Sequence, residues 1–157
     1  MKEEKLELRM YGLVPYQLTG IQQAIQFGHA VVEYGLTFGN TEKYLDWAKN
    51  WKTFIILNGG TTNTNPSTED GLPFGTLNRH TMFLDDIDYQ YEKFHEPDLG
   101  DQLTAIVFIV DERVFNKTKY PDPQPFATEE EFNLFLETIG GVTNYNLRIF
   151  LKQFKLA

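Results

Sequence analysis

Near neutral pH this chain has few groups able to move a proton, namely three histidines (His29, His80 and His95) and no cysteine. His29 ends the stretch Gln22-Gln-Ala-Ile-Gln-Phe-Gly-His29, where Gln22, Gln26 and His29 fall at i, i+4 and i+7 on one helical face. Two carboxamides and an imidazole in that order can hold the polar groups of a ligand, and the imidazole can act as acid or base. The second stretch, Glu96-Pro-Asp-Leu-Gly-Asp-Gln-Leu-Thr104, sets carboxylates and turn formers ahead of an apolar run. Within it Asp98, before Gly100, is a hydrogen-bond acceptor or general base, and Thr104 can position a water or a phosphate. The plainer alternatives are a satisfied structural histidine and a charged turn. Without cysteine there is no thiolate zinc site, iron–sulfur cluster, disulfide or cysteine nucleophile. No metal or cofactor is expected, and Asp85, Asp86 and Asp88 read as a solvated acidic helix end rather than a Mg²⁺ site.

The elements that would position these groups follow from periodicity. Lys5 to Val14 alternates Leu6, Leu8 and Met10, which predicts a strand entering a loop at Pro15. A helix is expected over about Leu18 to Phe38, with Ile21, Ala24, Ile25, Gly28, Val31 and Val32 as its buried stripe. Asn40 or Thr41 caps a short second helix through Asn50, with Tyr44, Leu45, Ala48 and Trp51 inward. Thr53 to Leu57 reads as a strand buried on both faces. Residues 58–78, rich in Gly, Pro, Asn and Thr, predict a long loop insert. A short helix over His80 to Asp88 and a strand over Tyr89 to His95 come next, then the strongest strand, Leu103 to Asp111. Lys117 to Pro125 is a connector, Thr128 with Glu131 forms a capping box, and Gly140-Gly141 ends that helix before a final amphipathic one over Thr143 to Leu156. The order predicts an α/β fold, a three-layer sandwich with a small mixed four-stranded sheet. Its main domain is 1–111, and 112–157 is a C-terminal helical extension packed on it.

With 157 residues, 41% apolar and 15% aromatic, the chain has enough for one packed domain and too little for two. The net charge is −8, yet residues 141–157 hold three basic side chains (Arg148, Lys152 and Lys155) and no acid. Three cations are too few for a nucleic-acid arm, and the segment reads as a docking helix with wet lysines. The longest apolar run, Ala105 to Val110, is too short for a membrane span, and no signal-peptide pattern follows Met1, so a cytoplasmic protein is expected.

Gln26-x-x-His29-Ala30 after a strand, with Glu-Pro-Asp-Leu-Gly-x-Gln-Leu-Thr-Ala leading into another, resembles the type II peptidyl-tRNA hydrolase family, most of all its small bacteriophage-encoded members. The resemblance covers about Lys5 to Val110 in element order. It implies a cleft in which His29, Asp98 and Thr104 are catalytic, and in which Tyr16, Gln22, Gln26, His29, Asp98, Gly100 and Thr104 meet the ligand. The family's lysines align with Gly20 and Gln22, which carry no charge. Ester cleavage develops an oxyanion that an ammonium stabilises far better than a neutral amide does. The leading expectation is therefore a non-catalytic, hydrolase-like domain that binds a small nucleotide-type ligand, with Tyr16 or Tyr34 available for stacking. The phage resemblance gives it the setting of a protein that sequesters a nucleotide signal of host defence. A second expectation is an active peptidyl-tRNA hydrolase acting on tRNA, with Arg79 or Lys93 supplying the cation. A third is a protein-interaction module, and a homodimer suits any of the three.

Overall fold

The computed structural model describes residues 5–62 and 75–157. Strand β1 (Leu8–Pro15) leads into helix α1 (Gly20–Phe38), and a short helix α2 (Glu42–Asp46) with a π-helical turn (Trp47–Trp51) returns the chain to strand β2 (Thr53–Gly60). Helix α3 (Thr76–Asp86), strand β3 (Glu92–Glu96), a 3₁₀ turn (Pro97–Leu99) and strand β4 (Gln102–Asp111) follow. Helices α4 (Glu112–Phe115), α5 (Glu129–Thr138) and α6 (Val142–Leu151) complete the chain. The sheet order is β2-β1-β4-β3, with β1 parallel to β2 and the other pairs antiparallel. The fold is α/β, a mixed four-stranded sheet between two layers of helices. The central part of the expected loop, 63–74, lies outside the described residues, while 58–60 belong to β2 and 76–78 to α3.

Alternation along β1 splits the core in two. Met10 and Val14 face α1, packing with Phe27, Ala30, Tyr34, Ala105, Val107 and Ile109. Tyr11 and Leu13 face the opposite layer, with Leu77 and Leu84 of α3, Phe108, and Leu147 and Phe150 of α6. Residues 112–157 thus share the sheet's second face. Within the extension, α6 is tied to the segment 113–122 by Arg148, which is 2% exposed. Its guanidinium donates to the Arg113 carbonyl at 2.6 and 3.0 Å, to the Tyr120 carbonyl at 2.8 Å and to the Asp122 carboxylate at 3.0 Å. Arg148 is thus a buried linchpin of the extension, while Lys152 and Lys155 on the same segment are exposed. Partial desolvation works against ionisation of Asp122, but the cations Lys117, Arg148 and Lys152 outweigh it and hold that carboxyl below the usual range.

β2 is an edge strand, so the expectation of burial on both faces fails at Phe54, which is 53% exposed. The outer edge of β2 is closed by the C-terminal tail: the Asn58 amide donates to Lys155 at 2.8 Å and the Ala157 amide to Ile56 at 3.0 Å, about a Leu57–Leu156 bridge. The other edge, β3, is short and carries Glu92, Lys93 and Glu96, which discourages further pairing.

The largest departure from expectation is the rotation of α1. Its buried residues are Gln26, Phe27, Ala30 and Tyr34, whereas Ile21, Ile25 and Val32 are 77%, 51% and 62% exposed. The helix sits this way because Gly12, in the middle of β1, admits the Phe27 ring against the backbone. A Cβ on Gly12 would lie 2.1 Å from Phe27 Cδ2. A glycine inside an interior strand is a usual mark of such a close approach. Across α2 and the π-helical turn after it, the buried residue is Trp47 of the turn, whereas Leu45, expected inward, is 37% exposed.

Gly12→Ala should therefore lower the unfolding free energy by about 1–3 kcal/mol through overpacking. Urea denaturation with an unchanged m-value would register this, and a variant as stable as the parent would contradict the contact.

Candidate ligand site

The amide–imidazole face of α1 and the Glu-Pro-Asp turn do lie at the same end of the sheet. β1 ends there at Pro15, β4 begins there, and α1 starts at Gly20 after the four intervening residues 16–19. Local bonding then decides which side chains stay available. Pairing between β3 and β4 steps from Phe94↔Ala105 to His95↔Leu103, so Thr104 is the extra residue of a bulge. Its side chain turns toward α1, and its hydroxyl donates to Gln26 Oε1 at 2.5 Å. Thr104 is 0% and Gln26 7% exposed. These two residues form a buried strut between helix and sheet and present nothing to a ligand, which corrects their expected places in a cleft.

Gln22 has half its capacity committed. Its Oε1 accepts from the Thr19 amide at 3.0 Å while Thr19 Oγ1 accepts from the Gln22 amide at 3.2 Å, a capping box that starts α1. The His29 ring is exposed and stacks on Phe94, with centroids 4.6 Å apart. Asp98 sits exposed in the 3₁₀ turn, which Gly100 closes with φ 66°. Tyr16 is 59% exposed, and its amide donates to the Gly60 carbonyl at 2.9 Å. His29, Asp98 and Thr104 therefore do not converge on one open hollow.

A different place at the same sheet end has the better geometry. β1 and β2 are parallel neighbours, but the chain leaves β1 toward the α1 layer and leaves β2 toward the α3 layer. Strands whose connections part in this way leave a crevice at their carboxyl ends, where open α/β sheets bind ligands. The α3 side of that crevice is fixed by Thr76, whose Oγ1 donates to the Gly59 carbonyl at 2.8 Å and accepts from the Thr61 amide at 2.9 Å. Beside it opens a hollow of about 330 Å³ lined by Asn58, Gly59, Gly60, Thr76, His80, Gln153, Phe154 and Lys155. The lining offers one ammonium, two carboxamides, an imidazole and an aromatic ring.

His80 is the titratable group of this hollow. Its ring packs edge-on against Phe150 and Phe154, with centroids at 5.5 and 4.8 Å. Nε2 lies 3.2 Å from the Gly59 carbonyl, an oxygen that only accepts, so Nε2 carries the proton and Nδ1 is the acceptor of the neutral ring. Burial pushes the His80 pKa below its ordinary value, which the bond to Gly59 partly opposes and Arg79 reinforces. Sequence reasoning had no signal for this site, because three of its eight lining residues come from the C-terminal tail, far in sequence from the end of β2. Of the two cations expected to replace lysine, Arg79 is exposed beside His80, and Lys93 is exposed on β3.

No protein-family model, curated protein or solved structure matches this chain. Among the described residues no helix is long and apolar enough to cross a membrane.

With its pKa lowered by folding, His80 binds its proton more weakly in the native than in the unfolded chain. Its contribution to stability is complete above the unfolded value of about 6.5 and is lost as pH falls below it. Thermal melts at about pH 7.5 and 5.5 should show a smaller drop in Tm for His80→Gln than for the parent. Equal drops would contradict the half-buried, neutral ring.

Proposed function

We propose that this chain is a non-catalytic, hydrolase-like binding domain whose small nucleotide-type ligand sits in the hollow at the carboxyl end of β2. The observation that carries the reading is the lining at that position: Lys155 for a phosphate, the Phe154 ring for a base, and Asn58 and Gln153 for the polar edges. A volume of about 330 Å³ lies within the range of small-molecule sites. Hydrolysis is the weaker reading, because Thr104 and Gln26 are bonded to each other out of reach and Gly20 and Gln22 bring no ammonium. The resemblance to phage-encoded hydrolase-like proteins adds a setting, the withholding of a nucleotide signal from host defence, which requires binding and no turnover.

The test is a thermal-shift panel of mono-, di- and cyclic nucleotides. At ligand concentrations well above Kd the Tm should rise by a few degrees. Lys155→Ala and Gln153→Ala, both at exposed positions, should each abolish the rise while leaving the unliganded melt close to the parent's. A flat panel would remove the nucleotide reading. A shift that survives both variants and is lost in Tyr16→Ala or His29→Ala would move the ligand to the α1 side of the crevice.

A further inference from the structure

The outward side of α1 is an apolar ridge. Ile21, Ile25, Val32 and Leu36 are 77%, 51%, 62% and 77% exposed, and the exposed Gly28 lies among them. The spacing 21, 25, 28, 32 alternates four and three residues, which is the seam of a two-helix coiled contact and too regular for scattered surface residues. Glu33 is the only carboxylate or ammonium on the helix, and it lies one heptad from the buried Gln26, on the β3 flank away from the ridge.

We propose that this ridge pairs with the same ridge of a second copy of the chain, the two α1 helices running antiparallel about a two-fold axis beside Gly28. Three observations select a second copy. The pattern is its own complement, since reversing the helix sets Ile25 against Val32 and Ile21 against Leu36, as an isologous interface demands. Each copy carries a charge of −8, which disfavours association through acidic faces, and the ridge residues carry no acid. The extent is also adequate. From Ile21 to Leu36 the ridge is about 24 Å long, most of the width of a standard patch of about 800 Å² per partner. A membrane surface is the poorer occupant, because an interfacial helix carries Lys or Arg along its border and α1 has neither. Gly28 adds close approach of the two backbones, since a side chain there would meet nothing in its own chain.

Light scattering with size exclusion, over concentrations from low to several hundred micromolar, should give twice the 18.2 kDa chain mass for the parent. Ile25→Lys combined with Val32→Lys should halve that mass with little change in Tm, both sites being exposed. Because the chain has no cysteine, Gly28→Cys supplies a single thiol, and mild oxidation should give a covalent dimer of that variant. Gln90→Cys, on an exposed turn, should give none. A parent that stays at one chain mass throughout would overturn the proposal. So would a dimer that persists in the double-lysine variant, or a Gly28→Cys variant that oxidises no faster than Gln90→Cys. None of these outcomes depends on nucleotide binding at Lys155.

Discussion

Phe27 reaches the backbone of β1 because position 12 has no side chain, and that contact fixes how α1 is turned about its own axis. Burying such a ring contributes about 1.5–3 kcal/mol, and the neighbouring turn of the helix adds a polar lock in the Thr104–Gln26 bond. The lock is specific as well as stabilising. Turning the helix away would leave the Thr104 hydroxyl, 0% exposed on β4, without its Gln26 acceptor. The two contacts also act at different strands, Gly12 on β1 and Thr104 on β4, so the helix is pinned across the sheet and not to a single neighbour.

That rotation has two consequences, one for each face. Inward, it spends the residues that looked chemical: Gln26 and Thr104 become a strut, and His29 becomes a ring lying on Phe94. Outward, it exposes Ile21, Ile25, Val32 and Leu36 as a continuous apolar ridge. Binding capacity then sits beyond the helix, where β1 and β2 send their connections to opposite layers and the C-terminal tail supplies Phe154 and Lys155. The tail does two jobs, closing the β2 edge by backbone pairing and walling the hollow with its side chains.

Most elements were legible because their signals are local. Thr41 and Thr128 cap helices where the sequence places caps, and the apolar run ending at Asp111 is an interior strand. The phase of α1 was not legible, since the helix has apolar residues nearly all round and hydrophobicity alone ranks Ile25 above Gln26 as a core residue. The deciding facts are long-range: a glycine on another strand, and a bulge that aims Thr104 at the helix. Gly12 was the one visible clue. The fate of Arg148 was equally hidden, because besides the Asp122 carboxylate its partners are two backbone carbonyls that no side-chain pattern advertises.

The rotation of α1 can be read directly by nuclear Overhauser contacts in the folded protein with selectively labelled Phe, Ile and Val. The account predicts contacts from the Phe27 ring to the Gly12 α-protons and to Phe54, and none from the Ile25 or Val32 methyls to Met10 or Ile109 of the same chain. Contacts joining Ile25 or Val32 to Met10 and Ile109, with Phe27 facing solvent, would contradict it.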